Sequence, residues 1–588
     1  MEHQMKGKFV QIAALCLSAA LLLAAGGEKA SAAPVPSAVS ERIMRVGLHY
    51  GTGAMEGVNL LNEKGSGYRF GYYDASNRFV ELGSTSQTAI SAVETVNVWY
   101  GTYDKYTSYH TAITSAVAVG EYHLELPGTY QTFAEAQGMA SLYQGGFAAY
   151  IGGMFYVRIG NYTTRDGAVA AQSALAAQGV YTELRGTSGF GVSVVTTGTS
   201  NILFQYDDLG SGTGLGIEPI SVNGEKCATL SKDCLYNGGF RFERINGGKM
   251  TVVNIVELED YVKGVVANEM SDSWPIEALK AQAVAARSYA LSLGSKHGSH
   301  HFDVCFDVDC QAYYGREKAG ANSDGAVDQT AGQVALYNGQ TAQTFYYSSN
   351  GGASQSVSVV WGSNQALYPY LAEVADPYEA SLNLNNSWTR TVTSTEIISK
   401  VLREYAVSGP IVSAEVSSYT NAGNPWMFTF TDSAGKKFSV RSGRVYQGLG
   451  LPSCRFGFAG SGGNSQPTPP AAPSGSVSIN GSTPVSGTAG LYAMDGNGNL
   501  TALGGDVYVI TDSGTSLLGQ GGGSDQGQGS SQWASSDAVV NGSITFAGRG
   551  WGHNIGMSQF GAKAMAEQGH TYQQILQFYY TGITVGYM

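Results

Sequence analysis

Residues 254–293 read NIVELEDYVKGVVANEMSDSWPIEALKAQAVAARSYALSL, which predicts an apolar strand, a turn and a helix. Ser273 and Pro275 mark the helix start. One helix face is apolar, formed by Ile276, Leu279, Ala283, Ala286 and Ala290. Glu269 falls on the predicted turn, where the helix N-terminus would lower its pKa and burial in a cleft would raise it. Glu269 is therefore a candidate proton donor; the alternative is a capping or solvated carboxylate.

The composition is typical of an extracellular, β-rich protein. Only 13% of the 588 residues are charged, and 80 are glycine. A chain of this length forms roughly two to four domains. The net charge of -12, without a basic tract, argues against nucleic acid binding and gives no attraction to an anionic membrane.

Residues 1–32 have the pattern of a signal peptide. Lys6 and Lys8 precede an apolar run over residues 12–25, and residues 30–32 read Ala-Ser-Ala, a small-x-small cleavage site. The run is too short to span a bilayer comfortably. We expect a secreted protein of the cell wall, with no stable membrane insertion after signal cleavage.

The rest of the chain predicts an α+β fold in which a β-rich domain is discontinuous. Its N-terminal part covers residues 33–121 and its main body residues 201–460. A βαββαβ module at 122–200 is inserted between them. Residues 461–540, rich in Gly, Ser and Pro, predict a flexible insertion, and residues 541–588 return to a dense pattern that completes the body.

The predicted module has strands at 122–126, 146–151, 155–159 and 189–195, with helices at 133–143 and after Thr164 or Asp166. This order is that of a ferredoxin-like sandwich. The passage FYVRIGNYTTRDGAVAAQSALAAQGV resembles the SPOR family, and that resemblance implies binding to glycan strands stripped of peptide. An unrelated βαββαβ insert is the alternative.

Five cysteines follow the signal segment. Cys227 with Cys234, and Cys305 with Cys310, could each close a short disulfide loop, leaving Cys454 over. The passage SKHGSHHFDVCFDVDCQAYYG, residues 295–315, also offers donors that suit zinc. They are His297, His300, His301, Cys305 and Cys310. A disulfide, a structural zinc and free thiols all remain open.

The stretch VELEDYVKGVVANEMSDSWPIEALKAQAVAARSYAL closely resembles the signature of the SpoIID/LytB family, the stage II sporulation protein D group. Passages at 344–362, 370–377 and 548–583 match the family as well. The SpoIID branch implies a lytic transglycosylase that cuts the MurNAc–GlcNAc bond of peptide-free glycan and leaves a 1,6-anhydro end. The family's catalytic acid/base falls on Glu269, and the resemblance suggests a role in sporulation.

The LytB branch implies a different function, namely a non-catalytic, peptidoglycan-binding enhancer of an N-acetylmuramoyl-L-alanine amidase. The expected partners are thus peptidoglycan glycan strands and, in the second case, an amidase. A structural surface-layer or spore-coat protein would fit the composition but not the ordered motifs. Some family members carry zinc in the 295–315 segment, and many have His before the second Cys, where this chain has Asp309.

One carboxyl is sufficient for the transglycosylase reaction. Glycoside hydrolysis normally uses two carboxylates, but here the sugar's own 6-hydroxyl attacks, so one group can donate and then accept the proton. No cofactor is required. Six residues are expected to bind substrate: Arg287, Tyr347, Ser348, Ser349, His553 and Gln559. The alternatives are a salt bridge for Arg287, a structural role for His553 and helix capping for Gln559.

Overall fold

The computed structural model describes residues 42–224, 226–230, 234–382, 384, 386–459 and 542–588, and the backbone of short strands between 476 and 538. The predicted signal peptide and most of the predicted insertion lie outside these residues. Strands outnumber helices, which confirms the α+β prediction. In the described ranges, every helix is too short or too polar to cross a lipid bilayer.

A seven-stranded sheet forms one side of the body. Its strands, in spatial order, are Val304–Cys305, Ile43–His49, Thr251–Glu257, Gly239–Glu243, Leu215–Ser221, Gly65–Tyr73 and Phe79–Thr85. Thr251–Glu257 is buried except at its last residue, as expected for a strand paired on both sides. This strand leads directly into the helix that carries Glu269.

A ten-stranded sheet contains the predicted module. Its strands, in spatial order, are Glu183–Arg185, Tyr122–Glu125, Met154–Tyr162, Gly146–Ile151, Ile202–Asp207, Val192–Thr196, Ala89–Glu94, Gly57–Leu61, Cys227–Leu230 and Cys234–Asn237. The first four have the 4-1-3-2 order of a ferredoxin-like sandwich. The strand predicted at 189–195 is present as Val192–Thr196, but its assignment to the module was wrong: it pairs with strands outside the module, and Glu183–Arg185 takes its place.

Within the part of the chain that the structure describes there are ten helices, single turns of α-helix included. They are α1 Phe133–Ala140, α2 Arg165–Ala176, α3 Leu258–Glu269, α4 Ile276–Leu293, α5 Ala321–Gln329, α6 Val357–Val360, α7 Ser394–Glu396, α8 Ser442–Leu449, α9 Gln559–Glu567 and α10 Tyr572–Tyr579. Thr164 caps α2, as one of the two predicted candidates. A π-helical turn, Ile397–Val401, follows α7.

Helix α3 replaces part of the strand and turn predicted before Glu269. Its buried residues recur at helical spacing, as Leu258, Tyr261–Val262 and Val265–Val266. Glu269 is therefore the last residue of a helix, at the negative end of that helix dipole. The prediction placed it instead at the positive end of the following helix, whose first residue comes seven positions later.

Residues 543–588 pair with strands far away in the sequence. The small sheets that contain them are Ser387–Thr393/Ser543–Arg549/Phe456–Phe458, Tyr346–Tyr347/Met557–Ser558 and Gln340–Thr341/Gln333–Tyr337/Thr584–Tyr587. Further sheets are Lys437–Arg441/Pro425–Asp432/Ile411–Tyr419/Ser536–Ala538 and Tyr106–His110/Val98–Tyr103/Ala118–Val119. Three two-stranded hairpins lie at 476–486, 492–502 and 508–517. The C-terminal segment thereby lies beside the strand Tyr346–Tyr347, which directly follows Phe345.

Helix α4 is the centre of the core around the candidate site. Alanines cover most of its circumference, and Ala281, Ala283, Ala285 and Ala286 are fully buried. Helices α3, α5, α9 and α10 all pack against it. Small side chains allow this close approach from several directions. Helix α4 thereby fixes α3, which ends in Glu269, relative to α9, which begins at Gln559.

Candidate functional site

The Glu269 carboxylate is half-buried and is held by groups from three other segments. The Ala312 backbone N–H donates to Oε1 at 3.0 Å, and Gln559 Nε2 donates to Oε2 at 2.9 Å. The Tyr346 hydroxyl lies 3.5 Å from Oε1. Burial raises the pKa of Glu269 above its ordinary value, although these three neutral groups lower it. The sequence left this balance open, and burial outweighs hydrogen bonding.

Tyr346 links Glu269 to a chain of neutral polar groups. Its hydroxyl donates to Gln311 Oε1 at 2.8 Å, and Gln311 Nε2 donates to the Tyr261 hydroxyl at 3.0 Å. Burial raises the pKa of Tyr346 well above its ordinary value, so the phenol stays protonated. The Tyr346 hydroxyl donates to the ionised Glu269 carboxylate, and with its proton turned to Gln311 its oxygen can accept a hydrogen bond from Glu269 when that carboxyl is protonated.

His553 packs against the strand Tyr346–Tyr347 on the side opposite to Glu269. Its Nδ1 accepts the Ile555 backbone N–H at 3.0 Å, and its ring packs 5.4 Å from the rings of Tyr347 and Trp361. Burial lowers the pKa of His553 to about 4, although a hydrogen bond with the Tyr346 backbone has the opposite, smaller effect. The imidazole is therefore neutral at physiological pH and cannot supply a positive charge to the site.

The expected substrate contacts at 347–349 are mostly buried. Tyr347 is 4% exposed and Ser349 is 3% exposed, whereas Ser348 is half-buried. Successive strand residues point to opposite faces, so Tyr346 reaches Glu269 and Tyr347 packs on His553. Sequence analysis selected Tyr347 and missed its neighbour Tyr346, the tyrosine that contacts the carboxyl.

Arg287 does not reach the site, and the prediction that it binds substrate was wrong. The residue is fully buried on α4, where its guanidinium forms a bidentate pair with Glu259 at 2.9 and 2.6 Å. A third nitrogen donates to the Gln333 carbonyl at 2.9 Å. The salt bridge considered as the alternative is the arrangement that the structure shows, and it joins α4 to α3.

A second buried acid, Glu379, was not singled out from the sequence. Five groups donate to its carboxylate at 2.6–3.2 Å: Ser349 Oγ, the Asn350 and Gly351 N–H groups, Asn386 Nδ2 and Ser558 Oγ. Burial, and then the neighbouring Asp376, raises the pKa of Glu379. Ser558 caps α9 and directly precedes Gln559. Glu379 thus fixes the helix end from which Gln559 contacts Glu269.

The 295–315 segment forms a cluster of metal-ligand type. The donor atoms of His297, Cys305, Asp309 and Cys310 lie within 4.8 Å of one another. His301 does not belong to it, contrary to expectation, since its Nδ1 binds Glu243 Oε1 at 2.6 Å. Asp309 contributes a carboxylate to the cluster. Two thiols, one imidazole and one carboxylate suit tetrahedral zinc.

The thiols of this cluster favour metal binding. The pKa of Cys310 is lowered to about 6, first by its hydrogen bond with Cys305 and also by His297, whose Nε2 is 3.4 Å from the sulfur. The same pairing raises the pKa of Cys305. A thiolate at one position is the form in which cysteine binds metal. No disulfide joins Cys305 to Cys310 in the described chain.

The predicted Cys227–Cys234 disulfide is contradicted by the strand register. Cys227 pairs with Asn237, and Cys234 pairs with Leu230. The two cysteines are therefore offset by three positions along the hairpin, which is about 10 Å at about 3.3 Å per residue. A disulfide needs Cα atoms within about 7 Å. Cys454 is buried elsewhere, and no disulfide is present among the described cysteines.

The fold and the site define a β-rich α+β protein whose candidate active site is built on one half-buried carboxyl. Residues 246–337, which include Glu269, match the family model described as SpoIID, Stage II sporulation protein. The chain is therefore similar to the SpoIID family over this region. This match does not extend to the predicted module, whose likeness to SPOR stays a prediction.

Several curated proteins are similar to the chain. An "Amidase enhancer" of Bacillus subtilis (strain 168) is 30% identical over 333 residues, covering 55% of this chain and 40% of that protein. An uncharacterized protein of Brachyspira hyodysenteriae is 42% identical over 140 residues, which are 24% of this chain and 37% of that protein. "Stage II sporulation protein D" of Bacillus subtilis is 23% identical over 348 residues, covering 57% of this chain and 75% of that protein. The chain thus matches only about two fifths of the length of the first two.

Proposed function

We propose that the protein is an exported lytic transglycosylase of the bacterial cell wall. It cleaves the MurNAc–GlcNAc bond of peptide-free glycan strands, and Glu269 acts as both acid and base. The observation that carries the proposal is the environment of Glu269, a half-buried carboxyl whose pKa is raised by burial and whose contacts are neutral donors. A raised pKa keeps a fraction of the acid protonated closer to neutral pH.

The proton balance of the reaction needs only this carboxyl. Protonated Glu269 donates to the glycosidic oxygen while the bond from that oxygen to C1 of MurNAc breaks. The 6-hydroxyl of the same MurNAc then attacks C1, and the Glu269 carboxylate takes the hydroxyl proton. The products are a 1,6-anhydro-MurNAc end and a GlcNAc with a free 4-hydroxyl. Glu269 is returned to its starting form and no water is consumed.

The contacts of Glu269 match the two protonation states that this cycle requires. After the first transfer, the Ala312 N–H and Gln559 Nε2 stabilise the carboxylate. Before it, the Tyr346 hydroxyl, which donates to the carboxylate at 3.5 Å, can turn its proton to Gln311 and accept a hydrogen bond from the protonated acid. Neutral His553 adds no charge that would hold Glu269 permanently ionised. The same residue can thus alternate between acid and base.

Zinc, if bound, would have a structural role. His297, Cys305, Asp309 and Cys310 would hold it, and these residues flank the segment that leads to Ala312. A zinc ion would supply a cross-link that fixes this segment, and so the N–H that donates to Glu269. The proposed chemistry needs no Lewis acid.

The second candidate function is a non-catalytic enhancer of a cell-wall amidase. It is favoured by the relative named "Amidase enhancer", with 30% identity over 55% of this chain. In that case the Glu269 pocket would bind glycan without cutting it. An amidase would be the partner, and its rate would depend on this protein but not on the ionisation of Glu269.

The two candidates are separated by treating denuded glycan with wild-type protein, Glu269→Gln and Glu257→Gln, and by assaying a purified amidase with each. Glu257 is an exposed carboxyl at the other end of α3 and gives a matched control. The transglycosylase proposal expects anhydro ends from the wild type and the Glu257 variant only. Amidase stimulation by all three proteins, without anhydro ends, would favour the enhancer.

A further inference from the structure

A cavity of about 540 Å³ lies next to helix α6 and does not include Glu269 or His553 in its walls. Its size falls within the range of small-ligand sites. The walls come from α6, from residues 365–373 and from the end of the hairpin that joins strands Ile411–Tyr419 and Pro425–Asp432. No step of the proposed reaction uses these residues.

Two aromatic rings and several neutral polar groups line this cavity. Trp426 is 43% exposed and Tyr419 is 37% exposed, at the end of the hairpin. Ser356 and Ser358 provide hydroxyl groups. Gln365 is held rigidly, since its Nε2 donates to the Tyr368 and Leu371 carbonyls at 2.9 and 3.0 Å, while its buried Oε1 has no protein partner. That oxygen is an acceptor whose hydrogen bond a ligand could supply.

The hairpin end is organised in advance of any ligand. Glu373 accepts hydrogen bonds from Thr420 Oγ1, from the Ala422 N–H at 3.1 Å and from Asn424 Nδ2 at 2.8 Å. Asn424 Nδ2 also donates to the Ser354 carbonyl at 3.2 Å. These bonds tie the turn to the opposite wall and use the Glu373 charge within the protein. A pre-organised wall lowers the entropy cost of binding.

The chemistry of the lining selects the class of ligand. In the described part of the wall there is no Lys or Arg, and the single carboxylate is already hydrogen-bonded. Aromatic faces together with neutral hydroxyl and amide groups suit a sugar ring, whose apolar face stacks while its hydroxyl and acetamido groups form hydrogen bonds. A charged ligand would lack a counter-ion here.

The cavity is also connected to His553 through the chain. Val359 lines the cavity, and Trp361, two residues later, packs 5.4 Å from the His553 ring. Helix α6, which contains Val359 and ends just before Trp361, has four residues and is about 6 Å long. Gln355, just before α6, forms a β-bridge with Ile555, two residues after His553. The same short element therefore borders both the cavity and His553.

We propose that this cavity is a saccharide subsite that binds a neutral N-acetylhexosamine ring of the glycan, away from the bond that is cleaved. The proposal rests on the proposed function in taking glycan as the ligand. Its occupant holds the strand while Glu269 acts on a neighbouring linkage. Trp426 provides the stacking surface, and Gln365 and Asn421, which also lines the cavity, provide polar contacts.

The test is a calorimetric titration of a β-1,4-linked N-acetylglucosamine tetrasaccharide into the full chain carrying Glu269→Gln, which serves as the parent protein. Adding Trp426→Ala is expected to weaken binding at least tenfold, as for loss of a central aromatic contact. Asn421→Ala changes an exposed turn residue and is expected to weaken binding without affecting folding. Tyr405→Ala is the matched control, a tyrosine 41% exposed outside the cavity, and it should bind as the parent.

The proposal is overturned if the parent does not bind the tetrasaccharide, or if the Trp426 and Asn421 variants bind it as well as the parent does. Displacement of the sugar by a stem peptide through these same residues would also overturn it, in favour of a peptide site. Failure here is distinguishable from failure of the proposed function. Anhydro ends made by wild-type protein test Glu269 alone, whereas the titration detects binding whether or not any bond is cut.

Discussion

Replacing Gln559 by Leu should raise the pKa of Glu269. Gln559 Nε2 donates to Glu269 Oε2 at 2.9 Å, and this bond favours the ionised carboxylate. Leucine is one bond shorter than glutamine and cannot donate a hydrogen bond. The variant removes a stabilising contact of the carboxylate and makes its surroundings less polar, and both changes shift the pKa upward.

The magnitude follows from the strength of the lost bond. A hydrogen bond to a charged group contributes about 1.5–3 kcal/mol, and one pKa unit corresponds to about 1.4 kcal/mol. Because Glu269 is half-buried, solvent compensates part of the loss, and we expect the low end of that range. The pKa of Glu269 should therefore rise by about one unit.

The assay is the rate of anhydro-end formation from denuded glycan as a function of pH. The first step needs protonated Glu269, so the rate falls as the pH rises through its pKa. In Gln559→Leu this fall should occur about one pH unit higher than in wild-type protein. Gln568→Leu, at the exposed end of the same helix, is the control and should leave the profile unchanged. An unmoved fall, or one moved to lower pH, would refute the reasoning.

Three further predictions concern stability and metal binding. Arg287→Ala leaves the mostly buried Glu259 without its partner and should lower the free energy of unfolding, measured in urea, by about 3–5 kcal/mol. A decrease under about 1 kcal/mol together with weaker glycan binding would instead indicate that Arg287 binds substrate. Cys310→Ser should abolish zinc uptake measured by elemental analysis, whereas Cys454→Ser should retain it; equal zinc in both would exclude the cluster. Because folding raises the pKa of Glu269, stability should fall as pH rises from about 4.3 through the folded pKa. Glu269→Gln should therefore be more stable than wild type at neutral pH, with no gain near pH 4, and a variant less stable at pH 7 would contradict this sign.

The central acid could be selected from the sequence, but its neighbours could not. Glu269 stands out because it ends an apolar run before a helix start, and the family signature contains it. Ala312 contributes a backbone N–H, which no side-chain pattern reveals. Tyr346 differs from the selected Tyr347 only in strand parity, which depends on a pairing with Met557 far along the chain.

The errors in the site have similar long-range causes. Arg287 looked available on a helix because the sequence does not show that Glu259 of the preceding helix faces it. His301 is one of the zinc donors that the sequence offers, yet a left-handed backbone at His301, with φ of 63°, accompanies its pairing with Glu243. The spacing of residues in the sequence does not show that Arg287 pairs with Glu259 or that His301 pairs with Glu243.

In the fold, the wrong assignment of α3 had a local cause. Its valines favour strand by propensity, and the helical recurrence of Leu258, Tyr261 and Val265 was the signal that should have decided. The module strand at 189–195 was misplaced for a different reason. Val192–Thr196 is a strand, but its partners come from outside the module, which a local pattern does not show.

The origin of the oxygen at the new sugar end is the most direct test of the central claim. Wild-type protein digests denuded glycan in isotope-labelled water, and the products are weighed by mass spectrometry. The account predicts anhydro ends that are one water lighter than hydrolysis products and carry no label, and none of these from Glu269→Gln. Label incorporated at C1, or unchanged products from the variant, would contradict a single carboxyl acting in turn as acid and base.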